Sequence, residues 1–133
     1  MVIIMKRILI LCLSLILPLC GCGNNSTQSD MNYESVSMSE GIERMANDEG
    51  YIMLDVRRVD EFGAGHIPGA INLPNEEIGS EEIAMLPDKE QTIYIYCRSG
   101  NRSKQAANKL AALGYKNIVE FGGFMDYTGE IEY

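Results

Sequence analysis

The chain has 133 residues, 46% of them hydrophobic, with 19 acidic side chains against 11 basic ones and a formal net charge of −8. That length allows one domain around a single core. The acidic balance argues against a nucleic-acid ligand and against docking on an anionic lipid surface.

Lys6 and Arg7 precede an apolar run, Ile8–Leu19, which Ser14 interrupts and Pro18 breaks. The run is shorter than the roughly 18–20 residues of a spanning helix and suits the apolar segment of a secretory leader. Met5 offers an alternative start, since the leader would then open Met-Lys-Arg. The run ends Leu19-Cys20-Gly21-Cys22, which resembles the lipobox of bacterial lipoprotein signals. The resemblance implies cleavage before Cys22 and a diacylglycerol on its sulfur. Residues 1–21 are then the leader, 22–31 a polar flexible tether, and 32–133 the folded domain, outside the cytoplasm and lipid-anchored to the bacterial cell membrane. An uncleaved anchor or an ordinary secretory signal is the competing reading, and it too leaves the domain extracytoplasmic.

Of the four cysteines, Cys12 and Cys20 leave with this leader and Cys22 is capped. Cys97 remains as the one free thiol, without a partner for a disulfide. Such a cysteine in an oxidising compartment is more often reactive than structural.

Ser37-Met38-Ser39-Glu40 has the capping-box pattern and opens a helix to about Ala46, with Ile42, Met45 and Ala46 on its apolar face. Tyr51–Leu54 reads as a buried strand with Asp55 and Arg57 at its carboxyl end. Val59–Phe62 makes one helical turn, which would bring Arg57 and Glu61 within i, i+4 reach. Gly63–Gly69 is a loop, Ala70–Leu73 a short strand, and Asn75–Leu86 a loop followed by a short helix. Thr92–Tyr96 is β-branched and aromatic throughout, the pattern of a core strand. Lys104–Leu113 is rich in helix formers, with Gly114 as its stop. Asn117–Glu120 is the last strand, and Gly122-Gly123 opens a turn carrying Phe124, Met125 and Tyr127. Strands alternating with helices predict an α/β fold, a parallel sheet covered on both faces. Its binding crevice lies beyond the carboxyl ends of the strands.

Cys97-Arg98-Ser99-Gly100-Asn101-Arg102-Ser103 joins the core strand to the longest helix. Gly100 lets the backbone curl so that successive amides face one point. Those amides, the helix start and the cations Arg98 and Arg102 all favour thiolate over thiol. Arg98, Arg102 and Lys104 form a positive spot on an acidic body. The bland alternatives are an inert buried cysteine and a solvated, basic helix start.

Asp55-Val56-Arg57, Glu61-Phe62, Gly65-His66-Ile67-Pro68-Gly69-Ala70-Ile71-Asn72-Leu73-Pro74, the cysteine loop, and Gly122-Gly123-Phe124 together resemble a single-domain rhodanese, over nearly all of the chain from about Tyr33. The resemblance implies a parallel five-stranded sheet with helices on both faces. It also implies sulfur transfer, in which Cys97 takes a sulfane sulfur from a small anionic donor such as thiosulfate and passes it to cyanide or a thiol acceptor. In that reading the amides of Arg98 to Arg102, with Ser103, hold the persulfide, and Arg98 and Arg102 orient the donor. Asp55, Arg57, His66 and Gly69 match scaffold positions. Tyr127 stands where many relatives have Trp.

Related phosphatases and arsenate reductases place five residues between Cys and Arg, whereas four separate Cys97 from Arg102. The tighter ring suits one extra sulfur better than a tetrahedral oxyanion. Two alternatives stand beside the sulfurtransferase: a non-catalytic binding module, and a phosphatase or arsenate reductase. Arg102 either contacts the anion or caps carbonyls of its own loop. His66, the only histidine, is either a Cys–His partner or a hydrogen-bonding scaffold residue. One histidine and one free thiol are too few for a zinc site, and no cofactor is implied.

Overall fold

The computed structural model describes residues 32–133. The leader 1–21 with Cys12 and Cys20, the lipidation candidate Cys22 and the tether 22–31 lie outside the described residues.

Five strands, β1 (Glu34–Ser35), β2 (Ile52–Asp55), β3 (Ile71–Asn72), β4 (Thr92–Cys97) and β5 (Asn117–Gly123), form one sheet in the order β1-β5-β4-β2-β3. Every pairing in it is parallel. The helices are α1 (Met38–Ala46), α2 (Val59–Gly63) and α3 (Asn101–Ala112), with single 3-10 turns at Asn75–Glu77 and Phe124–Asp126. None of the helices among the described residues is long and apolar enough to cross a membrane.

The period of two along β4 sorts its side chains between the faces. Ile93, Ile95 and Cys97 pack with Ala106, Ala107 and Leu110 of α3. Tyr94 and Tyr96 pack with Met38 and Met45 of α1 and with Phe121 of β5. Both faces are therefore covered, and Cys97 falls on the α3 side. Helix α1 is capped by the Ser37 hydroxyl, which accepts from the Glu40 amide at 3.2 Å. It lies so close to β5 that a Cβ on Gly41 would come within 2.6 Å of the Phe121 ring.

The structure departs from the sequence reading in several places. Strand β1, two exposed residues, carries no apolar signal and was not among the expected strands. The short helix expected before Leu86 is absent. After the turn at Asn75–Glu77 the chain is irregular, yet Ile78 and Leu86 are still buried, and the Leu86 carbonyl accepts from the Tyr115 hydroxyl. Strand β5 continues three residues past Glu120, to Gly123. Arg57 and Glu61 do not pair, because each finds a better placed partner in the site.

Candidate active site

Strand β4 ends at Cys97, the central carboxyl edge of the sheet, and α3 starts four residues later at Asn101. Between them Gly100 takes φ +99°, a left-handed conformation open to glycine, and serves as the N-cap of α3. That curl turns the Gly100 amide onto Cys97 Sγ at 3.0 Å. The helix thus begins three residues earlier than expected, with Asn101, Arg102 and Ser103 as its first turn. An amide and the start of a 12-residue helix face the sulfur, an arrangement that favours negative charge there. Cys97 itself is 1% exposed, whereas Arg98, Ser99 and Asn101 are exposed.

Behind the ring, β5 approaches closely. A Cβ on Gly123 would overlap the Arg98 carbonyl and lie 2.6 Å from Ser99 Cα. The Met125 amide donates to the same Arg98 carbonyl at 3.1 Å. Gly123 is thus the place where the strand after the helix braces the ring.

Ser103 is fully buried beneath the sulfur. Its Oγ lies 3.5 Å from Cys97 Sγ, 2.9 Å from the Gly100 carbonyl and 2.7 Å from Glu120 Oε1. Glu120, 1% exposed, also accepts from the Ser35 hydroxyl at 2.6 Å and from the Gly122 amide at 2.9 Å. Sequence reasoning gave Glu120 no role. The signal present was a single charge inside the apolar run Ile118-Val119-Phe121.

The two loop arginines differ. Arg102 donates through both terminal nitrogens to Glu61, at 2.7 and 2.9 Å, so its fork is occupied by a carboxylate of α2 and not turned to the sulfur. Its side-chain hydrogen bonds among the described residues cap no carbonyl of the loop, and its guanidinium stays close enough to Cys97 for the two charges to interact. The Arg102 hydrogen bond holds Glu61 at about 2, far below the usual carboxylate range. Arg98 is exposed and has no salt-bridge partner among the described residues.

Asp55 and Arg57 form a buried pair at the end of β2. Arg57 donates from Nη2 to Asp55 Oδ2 at 2.7 Å and to the Gly65 carbonyl at 2.7 Å, and its amide donates to Asp55 Oδ1 at 2.9 Å. Its guanidinium also lies 4.3 Å from the centre of the Phe124 ring. This pair ties together β2, the 63–69 loop and the turn that follows β5. His66 stands apart from Cys97. Its Nδ1 is 2.9 Å from the Phe62 carbonyl, its ring stacks on Phe62 at 3.7 Å, and its Nε2 is 3.5 Å from Glu132. These contacts pin the loop and the C-terminal residues and leave no Cys–His pair.

A free thiol at the carboxyl end of a central parallel strand, held by the amide of a tight ring, occupies the position where open α/β sheets bind their ligands. The chain belongs to the rhodanese family, matching the rhodanese-like domain over residues 38–130. It is 36% identical over 73 residues to the thiosulfate sulfurtransferase PspE of Escherichia coli, covering 55% of this chain and 70% of that one. It is also 36% identical over 90 residues to a sulfurtransferase of Allochromatium vinosum, covering 68% and 79%. Of the Bacillus subtilis protein YrkF, at 32% identity, it spans 59%. Among solved structures it is similar to SSP1007 of Staphylococcus saprophyticus, with a TM-score of 0.64, 31% identity, and coverage of 75% of this chain and 99% of that one. The chain thus has sulfurtransferases among its relatives and shares their fold.

Proposed function

We propose that the domain is a sulfurtransferase that moves a sulfane sulfur from thiosulfate or a persulfide donor to cyanide or a thiol through a persulfide on Cys97. The thiolate attacks the outer sulfur of thiosulfate. The donor's S–S bond breaks, its electron pair leaves on sulfite, and Cys97 gains one sulfur. The acceptor then attacks that sulfur and carries it off as thiocyanate or a new persulfide, and the electron pair of the second broken bond returns to Cys97. Both halves balance without an outside oxidant or reductant.

The observation that carries this reading is the 3.0 Å bond from the Gly100 amide to Sγ, made inside a ring one residue shorter than that of the related phosphatases. Backbone amides fixed before the reaction stabilise an anionic sulfur with no reorganisation. The experiment is a thiosulfate–cyanide assay of the purified domain, followed as thiocyanate. Turnover that is absent from Cys97→Ser is expected. Hydrolysis of p-nitrophenyl phosphate without thiocyanate would point to the phosphatase alternative instead.

We further propose that the mature protein is held at the membrane by lipid on Cys22, with the sulfur site outside the cytoplasm. Support comes from the basic start, the apolar run and the Leu19–Cys22 pattern. In cells, wild type should partition with membranes into detergent and Cys22→Ala should not. Equal partition of both would refute the anchor.

A further inference from the structure

The Ser103 hydroxyl has one proton and three neighbours: Cys97 Sγ at 3.5 Å, the Gly100 carbonyl at 2.9 Å and Glu120 Oε1 at 2.7 Å. The carbonyl can only accept. That carbonyl also accepts from the Lys104 amide at 3.4 Å, so were thiolate and carboxylate both ionised, the one Ser103 proton would be shared by two anions. Two anions would also face each other across a single oxygen, in a place where Ser103 is 0% and Glu120 1% exposed. Burial and like charge both oppose that state. Glu120 has no salt-bridge partner among the described residues, and its other donors are the Ser35 hydroxyl and the Gly122 amide.

One further proton resolves the shortage. On sulfur, it lets the thiol donate to Ser103 and the Ser103 hydroxyl donate to the Glu120 carboxylate. On Glu120, it lets the carboxylic acid donate to Ser103 and the Ser103 hydroxyl turn to the thiolate.

We propose that Glu120 is a positioning residue for Cys97, accepting the thiol proton through Ser103, so that thiolate and carboxylic acid form together inside the pocket. In this step the S–H bond breaks, Ser103 Oγ takes that proton, and its own proton passes to Glu120 Oε1. One proton and one negative charge change places, and nothing is oxidised. An anionic donor then meets a single buried anion, not two. Only the use of this exchange in catalysis rests on the sulfur-transfer reading.

The other groups around the pair are Arg98 and Arg102 on the ring, Glu61 of α2 on Arg102, and Tyr33 ahead of β1. Burial chiefly, and the Glu120 charge second, push the Tyr33 phenol up. The Arg102 guanidinium is held charged chiefly by Glu61, and Glu61 titrates at about 2. Tyr33, Arg102 and Glu61 therefore do not change charge near neutrality. The contacts of His66 go to Phe62 and Glu132.

The test follows alkylation of Cys97 by iodoacetamide, a neutral probe, from about pH 5 to about pH 10, in wild type and Glu120→Gln. Two groups sharing one proton give two macroscopic steps. Wild type is therefore expected to show two rises separated by more than about one pH unit, with a plateau between them. Glu120→Gln keeps a hydrogen-bond donor for Ser103 but cannot take up the proton, so it should show one rise. A single rise in wild type, or two rises surviving in Glu120→Gln, overturns the proposal, and the latter would assign the extra step to another group such as His66. If Glu120→Gln does not fold, infrared difference spectra of wild type before and after alkylation decide. Capping the sulfur returns Glu120 to carboxylate, so a buried carboxylic-acid band should disappear, and its absence from the difference spectrum overturns the proposal. Neither readout needs turnover, so a domain without thiocyanate production but with both signatures would sink only the sulfur-transfer reading.

Discussion

Glu61 on α2 grips both terminal nitrogens of Arg102 on α3, at 2.7 and 2.9 Å. The contact joins residues 41 positions apart in sequence and fastens α2 to the first turn behind the cysteine ring. It also pairs one of the two loop arginines with a carboxylate outside the ring.

Glu61 titrates at about 2 in the fold, below an unfolded carboxylate at about 4.3. Its contribution to stability is therefore complete above the unfolded value and lost as pH falls through about 2. Glu61→Gln should cost on the order of 1 kcal/mol at neutral pH, the scale of a partly exposed ion pair. The gap from wild type should close on acidification. Urea denaturation of both proteins across that range checks the sign, and a gap that widens in acid would contradict it.

Asp55→Ala leaves the Arg57 charge, 5% exposed, without its carboxylate. Removing one partner of a buried pair costs about 3–5 kcal/mol. The denaturation midpoint should fall accordingly, and a loss below about 1 kcal/mol would mean that the Gly65 carbonyl and the Phe124 ring suffice for Arg57.

Gly123→Ala should disable the ring without removing a reactive group. Its φ of −124° is open to any residue, so the effect is steric. The new methyl group meets Arg98 and Ser99 backbone, and the cost of overpacking is about 1–3 kcal/mol. Alkylation of Cys97 should slow while circular dichroism stays that of a folded domain. Unchanged alkylation would show that the ring does not depend on β5.

Arg98 is the exposed cation beside the sulfur, with no salt-bridge partner among the described residues. Arg98→Ala should raise KM for thiosulfate on the order of fivefold, equivalent to about 1 kcal/mol of attraction in a watery setting, with kcat little changed. The effect should fade as ionic strength rises. A loss confined to kcat would give Arg98 a different role.

The parts of the fold written locally were legible. Thr92–Tyr96 announces itself by composition, and with it the position of Cys97 at the strand's end. Ser37 and Glu40 mark the start of α1, and Gly100 marks the bend under the sulfur. Features that depend on distant partners were not legible. β1 is two exposed residues that become a strand by pairing with Val119 and Glu120. The 78–86 stretch buries Ile78 and Leu86 without a helix, because Tyr115 meets the Leu86 carbonyl from 29 residues away. Glu120 looked like the end of a strand, since nothing nearby in sequence announces the Ser35 and Ser103 hydroxyls that receive it. Asp55 and Arg57 were legible as scaffold only through the family resemblance.

The account turns on whether sulfur resides on Cys97. Intact-protein and peptide mass spectrometry after incubation with thiosulfate reads this directly. The account predicts a gain of one sulfur atom, mapped to the peptide containing Cys97, removed by cyanide and absent from Cys97→Ser. A wild-type mass unchanged by thiosulfate, or a gain that survives in Cys97→Ser, would contradict it.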